Sequence, residues 1–232
     1  INTVFYVSNN SEIGKSTNSG NDYTKPLNNI TNAFKRINAN NNNDFSQSGL
    51  QRNYIIFVIA GAAATTLKAD HPLNLSIYPI EYTPETPDED KLELSGNLKA
   101  ETNINLLIEN LKVSGTLYCD DNSSITANNI TFTSNINVGQ NNSVSELHNT
   151  TSLNMTNCSV SGYTYCYANN TDSEKSSITA TNCSFGTIYN YGTFNASESE
   201  VTENLVSYDY SDATFTTLTT ARKNIQGTIT LN

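Results

Sequence analysis

The sequence predicts an all-β fold: a single-stranded right-handed parallel β-helix, capped at its N-terminus by a strand and a short amphipathic helix. Three observations predict it. A bent-strand unit recurs through the C-terminal half at a mean spacing of about 22 residues. Apolar residues alternate on both sides of each bend, and the outer positions carry Thr and Ser with no helical period. An up-and-down β-sandwich would not preserve one bent-strand pattern five times.

The chain divides as one domain over 1–232: a cap in 1–50, early irregular coils in 51–105 and regular coils in 106–232. Thr3-Val4-Phe5-Tyr6-Val7-Ser8 is a strand pattern, followed by a polar loop to Lys25. Pro26 then opens a segment whose Leu27, Ile30, Ala33, Phe34 and Ile37 fall on one helical face, and an Asn-rich loop is expected over Asn40 to Asn43. Tyr54 to Gly61 is a buried strand ending in Gly, and Leu73 to Tyr78 alternates. A β-helix end exposes unpaired strand edges, so a helix across the first coil meets a physical requirement.

In the regular region the segment from Leu106 to Val113 aligns with those starting at Ile125, Leu153, Ile178 and Phe194, and a weak sixth copy is expected from Phe215. The starts lie 19, 28, 25, 16 and 21 residues apart, so the length differences must sit in turns. Within a unit the apolar parity shifts by one at an Asn (110, 129, 157, 182), which tolerates the left-handed conformation a bend requires. A second inward pair follows each bend: Leu117 and Cys119, Ile136 and Val138, Thr164 and Cys166, Tyr189 and Tyr191. Seven to nine coils are expected, stacked near 4.8 Å apart so that Asn amides form ladders. The chain stops on the strand Gly227 to Leu231, a pattern expected of a segment that continues or abuts a partner.

The composition narrows the function. Thirty-seven Asn and a net charge of -10, with no basic cluster longer than Lys35-Arg36 or Arg222-Lys223, argue against nucleic acid and anionic membranes as partners. The longest apolar run, Tyr54 to Ala64, falls short of the roughly 20 residues that cross a bilayer.

The order Phe5-Tyr6-Val7-Ser8, a loop with Gly20-Asn21-Asp22, Pro26-Leu27 leading to Ala33-Phe34, then Ile56-Phe57-Val58-Ile59-Ala60-Gly61 resembles the opening of right-handed parallel β-helices of the pectin-lyase-like superfamily. Bacterial surface and autotransporter-passenger members share it. The resemblance spans almost the whole chain and implies fold, while Ala62-Ala63-Ala64 departs from the family's continuation after the Gly. Polysaccharide lyases of this fold use calcium with a basic residue on the strands. Between Val113 and Ala221 this chain offers only Lys175, which argues against that mechanism.

Few residues are candidates for chemistry. Glu198 and Glu200 replace the Asn and Ser of earlier coils, and two residues along a strand span about 6.6 Å, near the carboxylate separation of an inverting glycosidase. Glu198, however, occupies the bend position. Asp120 and Asp121, and Glu85, Asp88, Glu89 and Asp90 in a Pro-containing loop, offer oxygen ligands for calcium, the one cofactor considered, without matching a known calcium loop. Ile13-Gly14-Lys15-Ser16-Thr17 imitates the end of a phosphate loop but lacks its first Gly and a following helix. Cys158 and Cys183 share an inward rung in successive coils, Cys119 and Cys166 one two coils apart, and all are expected to be buried thiols. His71 and His148 have no partner pattern. Tyrosine is dense from Tyr163 to Tyr210; Tyr189 and Tyr191 are expected in the core, whereas Tyr165, Tyr208 and Tyr210 are candidates for a strip that binds sugar rings or a protein. The expected function is a non-enzymatic extracellular or cell-surface β-helix, adhesin-like or structural, meeting a host or matrix protein or a glycan. A polysaccharide-active enzyme and a carbohydrate-binding module are the alternatives.

Overall fold

Every strand pairing among the described residues is parallel, and the registers resolve into three ladders that follow one another around each coil. The computed structural model describes residues 2–49, 52–81, 86–120, 122–139, 151–167, 176–208, 212–216, 219–220, 223–225 and 228–231. The chain is a parallel β-helix. In the first ladder Asn2–Val7, Asn53–Val58, Thr66–Pro79, Leu98–Glu109, Ser124–Asn128, Ser152–Thr156, Ser177–Thr181, Thr193–Ser197, Asp212–Thr216 and Thr228–Leu231 pair in turn. Ten strands therefore stack on this side among the described residues, where seven to nine coils were expected.

Leu106, Ile125, Leu153, Ile178 and Phe194 are consecutive ladder partners, as their alignment predicts. The sixth copy begins at Ala213, the partner of Phe194, and not at Phe215, which pairs with Ala196. The shift is two residues, so the face is unchanged; a small Ala at the leading rung conceals the start.

At each first bend the chain turns through a left-handed residue. Asn110, Asn129, Asn157 and Asn182 have φ between 52° and 55°. Their amides also run along the axis: Asn129 Nδ2 donates to Asn110 Oδ1 at 2.7 Å, and Asn182 Nδ2 to Asn157 Oδ1 at 2.8 Å. A second ladder, Asn105 to Asn74 to Asn53, crosses the first sheet, each amide donating to the next oxygen at 3.1 Å. The interior is one apolar column in which Phe132, Phe185 and Phe194 are fully buried, the last two packed edge to face at 5.5 Å.

The cap differs from its expected form in two ways. First, the outer edge of Asn2–Val7 is satisfied by the loop: Tyr6 N donates to Gly20 O, Leu27 N to Tyr6 O and Ser8 N to Leu27 O. Leu27 forms a bridge with Val7 and is not helical. Second, the helix is long, Ile30–Ser48, and includes Asn40 to Asn43. Asn29 caps it by accepting from Asn32 N, and Gly49 ends it with φ 64°. Asn is a poor helix former, but here Asn41, Asn42 and Asn43 each make a side-chain hydrogen bond. Buried Asn41 donates to the carbonyls of His71 and Pro72, Asn42 donates to Asp70, and Phe45 stacks on His71 at 4.0 Å. The front of the helix buries Ile30, Ala33, Phe34 and Ile37 over the column, and its end is tied to the strand Thr66–Pro79.

Candidate functional site

The outward positions of the third ladder carry a tyrosine face. Tyr163, Tyr165 and Tyr167 alternate with buried Thr164 and Cys166, so their rings emerge on one side. Tyr189 and Tyr191 join them, contrary to their expected core position; Ile188 and Asn190 are the inward residues, and both are fully buried. The cause is a missing residue. Val160 pairs with Phe185, yet Tyr163 pairs with Thr187, so the later coil is one residue shorter and its parity is inverted. Tyr165 then stacks on Tyr189 at 5.1 Å with 12° between planes, and on Tyr167 at 5.6 Å. Tyr167 stacks on Tyr191 at 5.8 Å, and Tyr191 on Tyr208 at 4.1 Å. Tyr163, 46% exposed, meets Tyr165 and Tyr189 edge on. Tyr210 lies outside the described residues.

Burial raises the phenol pKa of Tyr165, Tyr167 and Tyr191 above the usual 10.0, assisted by the facing phenols and, for Tyr191, by a hydrogen bond with Tyr208. The unfolded chain would ionise near pH 10 while the folded one still holds these protons. Stability is thus expected to be intact below about pH 10 and to fall as the pH rises through the higher folded values. Denaturant unfolding measured in steps from neutral to strongly alkaline pH checks this; a flat profile would contradict it.

A second feature is an open groove of 620 Å³ along the first bend. It is lined by the amides of Asn129, Asn157 and Asn182, by Cys158, Cys183 and Ser184, and by Asp88, Lys91, Glu198 and Glu200. Both sequence-selected glutamates and Asp88 therefore share one surface. Glu200 Oε1 accepts from Ser184 Oγ at 2.8 Å. Lys91, with a side chain only 2% exposed, donates to Asp88 Oδ1 at 2.7 Å and to Thr131 Oγ1 at 3.0 Å, and Thr131 also donates to Asp88. Hydrogen bonds from Lys91 and then Thr131 lower the pKa of Asp88. These bonds hold Asp88 and Lys91 in the groove lining. Lys91 was not foreseen, because it reaches the regular coils from a loop forty residues earlier in sequence.

Glu198 takes the bend conformation at φ 52°, the position held by Asn in the four preceding coils. Glu198→Asn is expected to stabilise the chain by about 1 kcal/mol, by relieving left-handed strain and extending the amide ladder from Asn182. A higher denaturation midpoint checks it; an unchanged midpoint would place the strain elsewhere.

Among the described residues the calcium candidates do not assemble. Asp120 is buried and pairs with Lys99 at 3.3 Å, Asp90 is exposed in the turn Asp88–Asp90, and Asp88 is held by Lys91. Among the described residues no three acidic, Cys or His side chains converge as metal ligands. Asp121, Glu85, His148 and Lys175 lie outside the described residues. Gly14 is buried against the backbone of Ser8 within an otherwise exposed turn region, and no helix begins at Lys15.

All four cysteines are free and buried. Cys119 and Cys166 face the interior, where burial raises the pKa of both, Cys166 to about 12. Comparison of the chain with family models, with curated proteins and with solved structures finds no match.

Proposed function

We propose that this chain is a non-enzymatic, extracellular β-helix of the adhesin-like kind, similar in plan to bacterial surface members of the pectin-lyase-like superfamily, which holds a glycan on its tyrosine face. The observation that carries the reading is the continuous array from Tyr163 to Tyr208, in which rings from successive coils stack in one surface. Flat apolar rings suit the C–H faces of sugars, while their hydroxyls, kept protonated, supply hydrogen bonds. The net charge of -10 favours neutral or cationic glycans over acidic ones. A glycan-array screen on the purified chain, with and without calcium and with every hit examined for cleavage by mass spectrometry, tests it. Binding without cleavage supports the reading, and silence across the array overturns it.

The shared placement of Glu198, Glu200, Asp88 and Lys91 favours a second reading, a polysaccharide-active enzyme working in the corner groove. Cleavage lost in Glu200→Gln would support it over the first.

A further inference from the structure

The rung position just after the first bend runs Leu111, Ile130, Cys158, Cys183, Ser199, as the flanking registers require. Its apolar half lies in the column, and its two thiols come next to one another where the groove opens. Both line the groove while only 4% and 3% exposed. Burial first and then the facing Cys183 sulfur push the Cys158 thiol up, whereas the facing Cys158 sulfur pushes Cys183 down. The carbonyls of Ala127, Thr156 and Thr181 surround the pair at 3.3 to 3.4 Å.

The rung spacing decides what the pair is suited to. In-register parallel side chains repeat about every 4.8 Å, whereas a disulfide needs sulfurs about 2.05 Å apart and Cβ atoms near 3.8 Å. Two metal–thiolate bonds of about 2.3 Å placed end to end span about 4.6 Å. Stacked thiols in adjacent rungs therefore fit an ion between them better than a bond between them. Thiolates select soft cations such as Cu(I), which accept two sulfurs in line and need no third ligand. Glu198 and Glu200 on the same groove raise the local concentration of cations.

We propose that Cys158 and Cys183 form a two-coordinate site for a soft monovalent cation of the Cu(I) class, reached through the corner groove and separate from the tyrosine face. Binding converts two thiols and the ion into an S–metal–S unit with a single negative charge and releases two protons to solvent, with no change of oxidation state. Affinity therefore weakens as the pH falls.

The test is an anaerobic titration of the reduced chain with Cu(I), held by a competing chelator of known affinity, with stoichiometry read by native mass spectrometry. One ion per chain is expected. Cys158→Ser and Cys183→Ser should each weaken binding by about 100-fold or more, the loss of one of only two ligands exceeding the effect of an outer-shell change. Serine is tolerated on this rung, since Ser199 occupies the next position. The bound ion should slow alkylation of Cys158 and Cys183 and leave Cys119 and Cys166 unchanged, which separates the site from the interior thiols without relying on variants. Unaltered stoichiometry in both serine variants, protection of Cys119 or Cys166 instead, or a chain lighter by two hydrogens under these conditions would overturn the proposal.

Discussion

Gly115→Ala is expected to destabilise the chain by about 3 kcal/mol, the upper end of the cost of inserting a methyl group into a filled site. A Cβ at Gly115 would lie 2.1 Å from the carbonyl carbon of Gly96, 2.2 Å from its oxygen and 2.5 Å from Asn97 N. All three are backbone atoms of the adjacent coil, so relief requires the coils to part. That would strain two bonds that hold them, Gly115 N to Gly96 O at 3.1 Å and Thr116 N to Asn97 Oδ1 at 2.8 Å. Gly96 provides the control: its φ is 83°, but nothing lies within 4 Å of a Cβ there. Alanine at 96 should cost about 1 kcal/mol, from left-handed strain alone. Urea midpoints of the two variants make the comparison, and equal shifts would refute the steric account.

Tyr165→Ala should weaken glycan binding about 30-fold, equivalent to about 2 kcal/mol at the centre of an aromatic platform. Tyr165 is the joint of the array, touching Tyr163, Tyr167 and Tyr189 at once. Its removal breaks the surface in two and also forfeits stacking worth about 1 kcal/mol of stability. Tyr165→Phe keeps the ring and should lose only a few-fold. Calorimetric titration with the best ligand of the array screen, alongside a thermal melt of each variant, reads both effects. An equal loss in Ala and Phe would assign the affinity to the hydroxyl and not to the stacked face.

The column and its bends were legible because they repeat. Asn at 110, 129, 157 and 182 marks a backbone need that few other residues meet, and the apolar alternation around each one sets the inward face. Legibility stops where a single residue changes the count. The coil after Cys183 is one residue short, so a rule that places Thr164 and Cys166 inward sends Tyr189 and Tyr191 to the wrong face. The helix was underestimated for a different reason: the residues that extend it hold their conformation through His71, Pro72 and Asp70, partners that no local propensity reveals. Lys91 and Thr131 belong to the same class, joined across forty residues by the path of one loop. For the groove, the glutamates were visible as departures from the repeat, while their meeting with Asp88 was not.

Between the first and second ladders the rung positions are separated by the same interval in each regular coil: Leu106 to Leu111, Ile125 to Ile130, Leu153 to Cys158, Ile178 to Cys183, Phe194 to Ser199. The variable stretch is the one that returns from the third ladder to the first, brief from Asn190 to Phe194 and long from Val138 to Leu153. Length varies widely at that corner, whereas the first bend is constant and the second changes by a single residue, after Cys183. Along that corner the chain behaves as a row of sockets, where a segment can be exchanged, lengthened or replaced by an unrelated peptide while the rungs on either side continue to meet. Surface diversity in such a molecule can change independently of the scaffold that displays it.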